Sequence, residues 1–178
     1  MDESGKVAEK EAETKAKPKQ KVTVKKKAPK IAAKPATAAP SADTGTEITS
    51  IEGIGPKYGE TLTKAGISTV EALLQQCATA DARAKCAEST GLNAKSLDRW
   101  VKMSDFFRIT SVSGNEAELL EVSGFSNISE LASADAADVH AKLQATNDEK
   151  SLAPSVPDES VIQSWIEEAK ALPTVLSD

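Results

Sequence analysis

The sequence is short of the residues that most enzyme chemistry needs. Its 178 residues include one histidine, His140, and two cysteines, Cys77 and Cys86. A single histidine argues against a histidine-based metal site or a histidine-dependent triad. His140 reads instead as a surface or satisfied helix residue. Two cysteines do not make a disulfide scaffold. With no histidine nearby they do not make a zinc set either, so the expectation is reduced, partly buried thiols. Aromatic residues make up only 3% of the chain. Tyr58, Phe106, Phe107, Phe125, Trp100 and Trp165 are assigned to core packing. No P-loop, dinucleotide fingerprint, nucleophile elbow or metal-ligand cluster is present. Acidic pairs such as Glu167-Glu168 and Asp158-Glu159 read as solvated faces or helix N-terminal charge. The expectation is a protein that is not an enzyme, with no cofactor and no metal. No apolar run approaches the roughly 20 residues that cross a bilayer. Nor do the first residues carry the apolar stretch of a secretory signal. A soluble, cytoplasmic chain without a membrane partner is expected.

What is present is an uneven distribution of charge. The formal net charge is -5. Residues 1–42 hold eleven lysines, five acidic residues and no arginine, a balance of +6. Residues 43–105 balance at −2, and residues 106–178, with four basic and thirteen acidic residues, at −9. Residues 1–45 are rich in Lys, Ala and Pro and have no aromatic residue. Such a segment buries too little apolar surface to offset chain entropy and is expected to be a disordered basic tail. Residues 6–17 have at most a transient helix, because Pro18, Pro29, Pro35 and Pro40 break the pattern that follows. The cluster Lys25, Lys26 and Lys27 is the densest attraction for a polyanion. A plain solubilising leader explains it equally well. Without interleaved aromatics, base stacking is not supported.

An internal repeat organises the remainder. A shift of 58 lays Ile51–Leu62 over Ile109–Leu120 without a gap, then Gly66 over Gly124 and Leu73 over Leu131. Trp100-Val101 and Trp165-Ile166 correspond at a shift of 65, so the second copy carries seven extra residues, placed in the polar run 147–151. Two units follow, 46–105 and 106–178. Each is small for an independent core, so they should pack on one another.

Both units read as helices. Pro56 suits a first helical position. Gly66 is a C-terminal cap, and Ser68 to Glu71 reads as a capping box for a helix with Val70, Leu73 and Leu74 on one face. A helix near 80–89 ends at Gly91, and the next starts at Asn93 with Leu97, Trp100 and Val101 inward. In the second unit Gly124 repeats the cap, and Asn127 to Glu130 a weaker box. The last helix, 158–171, carries Val161, Ile162, Trp165, Ile166, Ala169 and Leu172, and Pro173 stops it. No alternating strand pattern occurs. The fold class is all-α.

The run Ile51-x-Gly53-Ile54-Gly55-Pro56, with Leu62, Ala65-Gly66-Ile67 and Thr69, resembles a helix-hairpin-helix motif. From about Ile48 to Leu172 the chain also resembles a bacterial and cyanobacterial family of uncharacterised function, domain of unknown function 4332. Ala87–Gly91, Trp100-Val101 and Asp105–Ile109 fit its pattern. The resemblance implies two tandem helix-hairpin-helix units after the basic tail.

The physical logic of the hairpin is simple. A Gly-Ile-Gly turn before a helix offers backbone N–H donors and the positive helix end to an anion. Gly53 and Gly55 let a phosphate oxygen come close, Ile54 locks the turn inward, Pro56 starts the helix, and Lys57 adds a charged contact. Lys64 lies on a neighbouring surface. Such a site reads the sugar-phosphate backbone and is indifferent to sequence. The bland alternative is that the glycines only make the turn. In the second hairpin Ser111 and Ser113 replace the glycines, Asn115 replaces Lys57, and Glu116 replaces Tyr58. That copy reads as a structural partner or a protein-docking face.

The expected function is therefore nucleic-acid binding without sequence specificity, through the first hairpin and the tail, with duplex DNA favoured by the motif resemblance alone. A nucleoid-associated location would suit it. The alternative is an adaptor whose acidic second unit meets a basic protein partner.

Overall fold

The computed structural model describes residues 45–177. The tail, with the 6–17 segment and Lys25, Lys26 and Lys27, lies outside the described residues. A single 3-10 turn, Ile48–Ser50, opens the described chain. Eight α-helices follow among the described residues: α1 Pro56–Lys64, α2 Val70–Gln76, α3 Ala80–Thr90, α4 Ala94–Phe106, α5 Gly114–Val122, α6 Ile128–Ala132, α7 Ala136–Lys150 and α8 Glu159–Ala171. No strands occur there, only two isolated β-bridges, Glu47 with Thr69 and Thr79 with Ser177. The fold is all-α. It is compatible with two tandem hairpin units. No helix among the described residues is long and apolar enough to cross a membrane.

Local chemistry sets the helix boundaries. Gly66, Gly91 and Gly124 all have positive φ just after a helix, the backbone region that a side chain disfavours. Asn93 caps α4 by accepting from the N–H groups of Lys95 and Ser96. Asn127 caps α6 by accepting from Glu130 N. At α2 the cap is Thr69, not Ser68. Its hydroxyl accepts from Ala72 N at 3.1 Å. Glu71 does not close a capping box. Its carboxylate instead accepts from Thr46 N, pinning the incoming chain to α2.

The extra length of the second half is not a loop at 147–151. Residues 147–150 are the last turn of α7, which has 15 residues against 11 in α3. The rest lies in residues 151–158, where Ala153 folds back onto Asn147 through two hydrogen bonds.

One hydrophobic core runs through both halves. Leu62, Leu73, Leu97, Val101, Phe106, Ile109, Leu119, Leu120, Leu131 and Trp165 are each 1% exposed or less. Burying a side chain of this size stabilises by about 1.5–3 kcal/mol before entropy is charged. Two aromatic or apolar assignments are corrected. Val161 is 39% exposed and faces away from the core, and Tyr58 is 44% exposed.

Polar ties join the halves. Arg99 of α4 meets Glu121 of α5 at 2.9 Å and Glu118 at 3.6 Å. Asp105 at the end of α4 accepts from Ile128 N at the start of α6. Residues 173–177 run back across the first half. Arg108 donates to Pro173 O, Ser177 N donates to Ala78 O, and Arg83 donates to Ser177 O.

Candidate nucleic-acid interface

The first hairpin is built on a tight turn from Ile51 to Ile54. Ile54 N donates to Ile51 O at 3.0 Å, and Gly53 sits at the third position with φ +86°. That is a conformation glycine adopts cheaply and other residues do not. Ile51 and Ile54 are 1% and 3% exposed and hold the turn to the core from both ends.

Gly55 has a different status. Its backbone is extended, φ −75° and ψ 177°, which any residue adopts. A Cβ built there would meet nothing within 4 Å. Neither conformation nor packing calls for glycine at this position. It is the N-cap of α1 and makes no side-chain cap. Pro56 follows at the first helical position and contributes no N–H. The first helical bond is Gly59 N to Gly55 O at 2.9 Å. Among the described residues the N–H groups of Gly55, Lys57 and Tyr58 therefore have no acceptor. Gly53, Gly55, Pro56 and Lys57 are all exposed, and the Lys57 side chain has no ion-pair partner among the described residues.

Five of the expected residues, Gly53, Ile54, Gly55, Pro56 and Lys57, thus form one contiguous surface loop and helix start. Lys64 is not brought to it. It ends α1, about 12 Å of helix rise away, and is paired with Glu60 at 2.7 Å. That hydrogen bond, with the lysine charge, holds the Glu60 carboxyl below its ordinary range.

Beneath the turn lies Trp100, 5% exposed. Its indole nitrogen is 3.1 Å from where a Gly53 Cβ would sit. The Tyr58 ring leans on the same indole, centroid to centroid 5.2 Å at 52°. The expectation of core packing holds for Trp100 and not for Tyr58. The signal available was the substitution pattern around them, since a tryptophan recurs in the second half while Gly53 and Tyr58 do not.

The second hairpin closes its turn with the matching bond, Val112 N to Ile109 O at 3.1 Å, but Ser111 lacks the positive φ of Gly53 and the chemistry is opposite. Ser111 stands where Gly53 does, and its hydroxyl accepts from Trp165 Nε1 at 2.7 Å. Glu116 stands where Tyr58 does, and its carboxylate accepts from Ser113 N at 3.1 Å. An internal anion already occupies the start of α5. Asn115 supplies no charge. The two hairpins also touch: a Cβ on Gly114 would come 2.6 Å from Ser50 O. That close approach of backbones accounts for the glycine.

Cys77 and Cys86 are free thiols, one buried and one partly buried. Burial and a hydrogen bond with Cys86 push the Cys77 thiol up to about 12. No cluster of three His, Cys, Asp or Glu residues that could hold a metal occurs among the described residues.

No curated protein and no solved structure gives a significant match to this chain. The model of the family described as Domain of unknown function (DUF4332) matches residues 52–172. That stretch spans the hairpins and all eight helices, and the chain belongs to this family.

Proposed function

We propose that this protein binds nucleic acid through backbone phosphate, without sequence specificity and without catalysis, using the first hairpin and the lysine-rich tail. Gly55 carries the reading. It is a glycine that neither the fold nor the packing needs, at a helix start with three free N–H donors beside an unpaired Lys57. An open, side-chain-free approach to such donors suits a phosphate oxygen. The +6 balance of residues 1–42 would add diffuse attraction, and the −9 second half would turn away from the polyanion. A cytoplasmic, nucleoid-associated location and a duplex DNA partner belong to the same proposal.

The test is fluorescence anisotropy with a random-sequence duplex across a salt series. Gly55→Ala combined with Lys57→Ala should weaken binding about tenfold. Deleting residues 1–42 should flatten the salt dependence by several phosphate equivalents, at about 0.9 each. Absence of binding at low salt would end the proposal. Full retention by the double variant, with loss on tail deletion, would reduce it to the tail.

A second reading is a protein adaptor, favoured by one observation. Glu116 fills the helix start of the second hairpin, leaving that half acidic and closed to anions. A stoichiometric basic protein partner that survives nuclease treatment would support it.

A further inference from the structure

We infer that the Trp100 indole N–H is a fourth donor in the hairpin's phosphate site, reached through the space that Gly53 leaves open. The inference rests on the reading of that hairpin as a phosphate site. It begins with a polar atom on a buried side chain that has no partner among the described residues. Trp100 is 5% exposed, and its Nε1 makes no hydrogen bond among the described residues. Buried indole N–H groups usually find an acceptor. This one is not sealed off: the unpartnered side-chain atom wholly shut from solvent is Ser123 Oγ, not Trp100 Nε1.

Gly53 marks where the donor lies. The position of an absent Cβ there is 3.1 Å from Nε1, so a side chain at this residue would crowd the nitrogen and glycine leaves it uncovered. Gly53 is exposed, and the same loop and helix start carry the free N–H groups of Gly55, Lys57 and Tyr58. The second half pairs its own indole internally, on a turn whose Ser111 lacks the positive φ of Gly53. There Ser111 places its own hydroxyl oxygen at 2.7 Å from Trp165 Nε1. One tryptophan is supplied with an internal acceptor, and the other is left for an external one. The same contrast holds at the helix starts, where Glu116 serves α5 and nothing serves α1. Both differences remove an internal oxygen from the first hairpin. The Tyr58 ring packs against the indole.

The ligand chemistry is a tetrahedral oxyanion, a phosphodiester of nucleic acid or a free phosphate group. One oxygen would accept from the hairpin amides and a second from Trp100. The protein's two tryptophans make the test internally referenced. The two indole N–H resonances of the full chain are followed by proton–nitrogen correlation during titration with inorganic phosphate, and separately with a short random-sequence duplex. The Trp100 signal should move saturably with both, while Trp165, held by Ser111, stays. Trp100→Phe should weaken duplex binding about tenfold with the salt slope unchanged, and its thermal melt shows whether the fold is kept.

Each outcome separates the two readings. If the amides of Gly55 and Lys57 shift and the Trp100 indole does not, this inference is overturned and the hairpin proposal stands. If phosphate shifts the indole but no duplex binds, the site is real and the nucleic-acid reading fails. If duplex binds and neither hairpin amides nor indole respond, both fail.

Discussion

Asp105 and Arg108 form an ion pair at 2.8 Å in which the carboxylate is 1% exposed and the guanidinium 18%. The same carboxylate caps the start of α6 through Ile128 N at 2.9 Å, and Arg108 reaches on to Pro173 O. Removing one partner of a buried pair costs more than the pair contributes, because the other is left uncompensated. Asp105→Ala should lose about 3 kcal/mol, roughly 9 °C in Tm. Asp105→Asn should lose less, since its carbonyl oxygen still accepts from Ile128. Chemical denaturation of both variants checks this, and equal losses would contradict it.

Stability should fall at alkaline pH through Cys77. The unfolded thiol gives up its proton from about pH 8.5, whereas burial and the Cys86 hydrogen bond keep the folded one protonated to about 12. Between those values the unfolded chain binds fewer protons, so rising pH favours unfolding. The contribution is complete below the unfolded value and disappears by the folded one. Under reducing conditions the wild-type slope should exceed that of Cys77→Ala by up to about 1.4 kcal/mol per pH unit. Parallel slopes would refute the assignment.

Gly53 and Gly55 should part company on substitution. Gly55→Ala meets open space in an ordinary conformation and should leave the melting temperature nearly unchanged. Gly53→Ala imposes a side chain on φ +86° beside Trp100 and should lose about 1–2 kcal/mol. Thermal melts of the two variants separate a glycine the turn requires from one it does not.

Gly114→Ala should destabilise the joint between the hairpins by about 1–3 kcal/mol, since its Cβ would strike the Ser50 carbonyl at 2.6 Å. Amide exchange should rise at Ser50, Glu52 and Gly114 together. A neutral substitution would mean that the two turns separate easily.

The all-α fold, the glycine caps and the shared face of Val70, Leu73 and Leu74 were legible because each is set within a few residues. Gly66, Gly91 and Gly124 mark helix ends by local conformation, and the inward positions by helical period. The capping position at α2 was misplaced by one residue because Ser68 and Thr69 are both competent caps. The seven extra residues looked like a polar loop, but polar residues equally serve the exposed turn of a helix such as α7. Of the candidate site, the Gly53–Lys57 loop was legible and the displacement of Lys64 by its ion pair was not. Trp100 was unreadable for a plain reason. Whether an indole N–H meets an acceptor depends on residues 47 and 54 positions away, Gly53 for Trp100 and Ser111 for Trp165.

The return of residues 173–177 to Ala78, Thr79 and Arg83 has a kinetic consequence. Its longest link, Ser177 to Ala78, spans 99 residues. Closing so large a loop gains little until the intervening helices are already ordered. The clasp therefore belongs to the last events of folding and should be the first contact to open under force. It leaves the helical halves to collapse on local contacts first, and then binds the fate of one to that of the other.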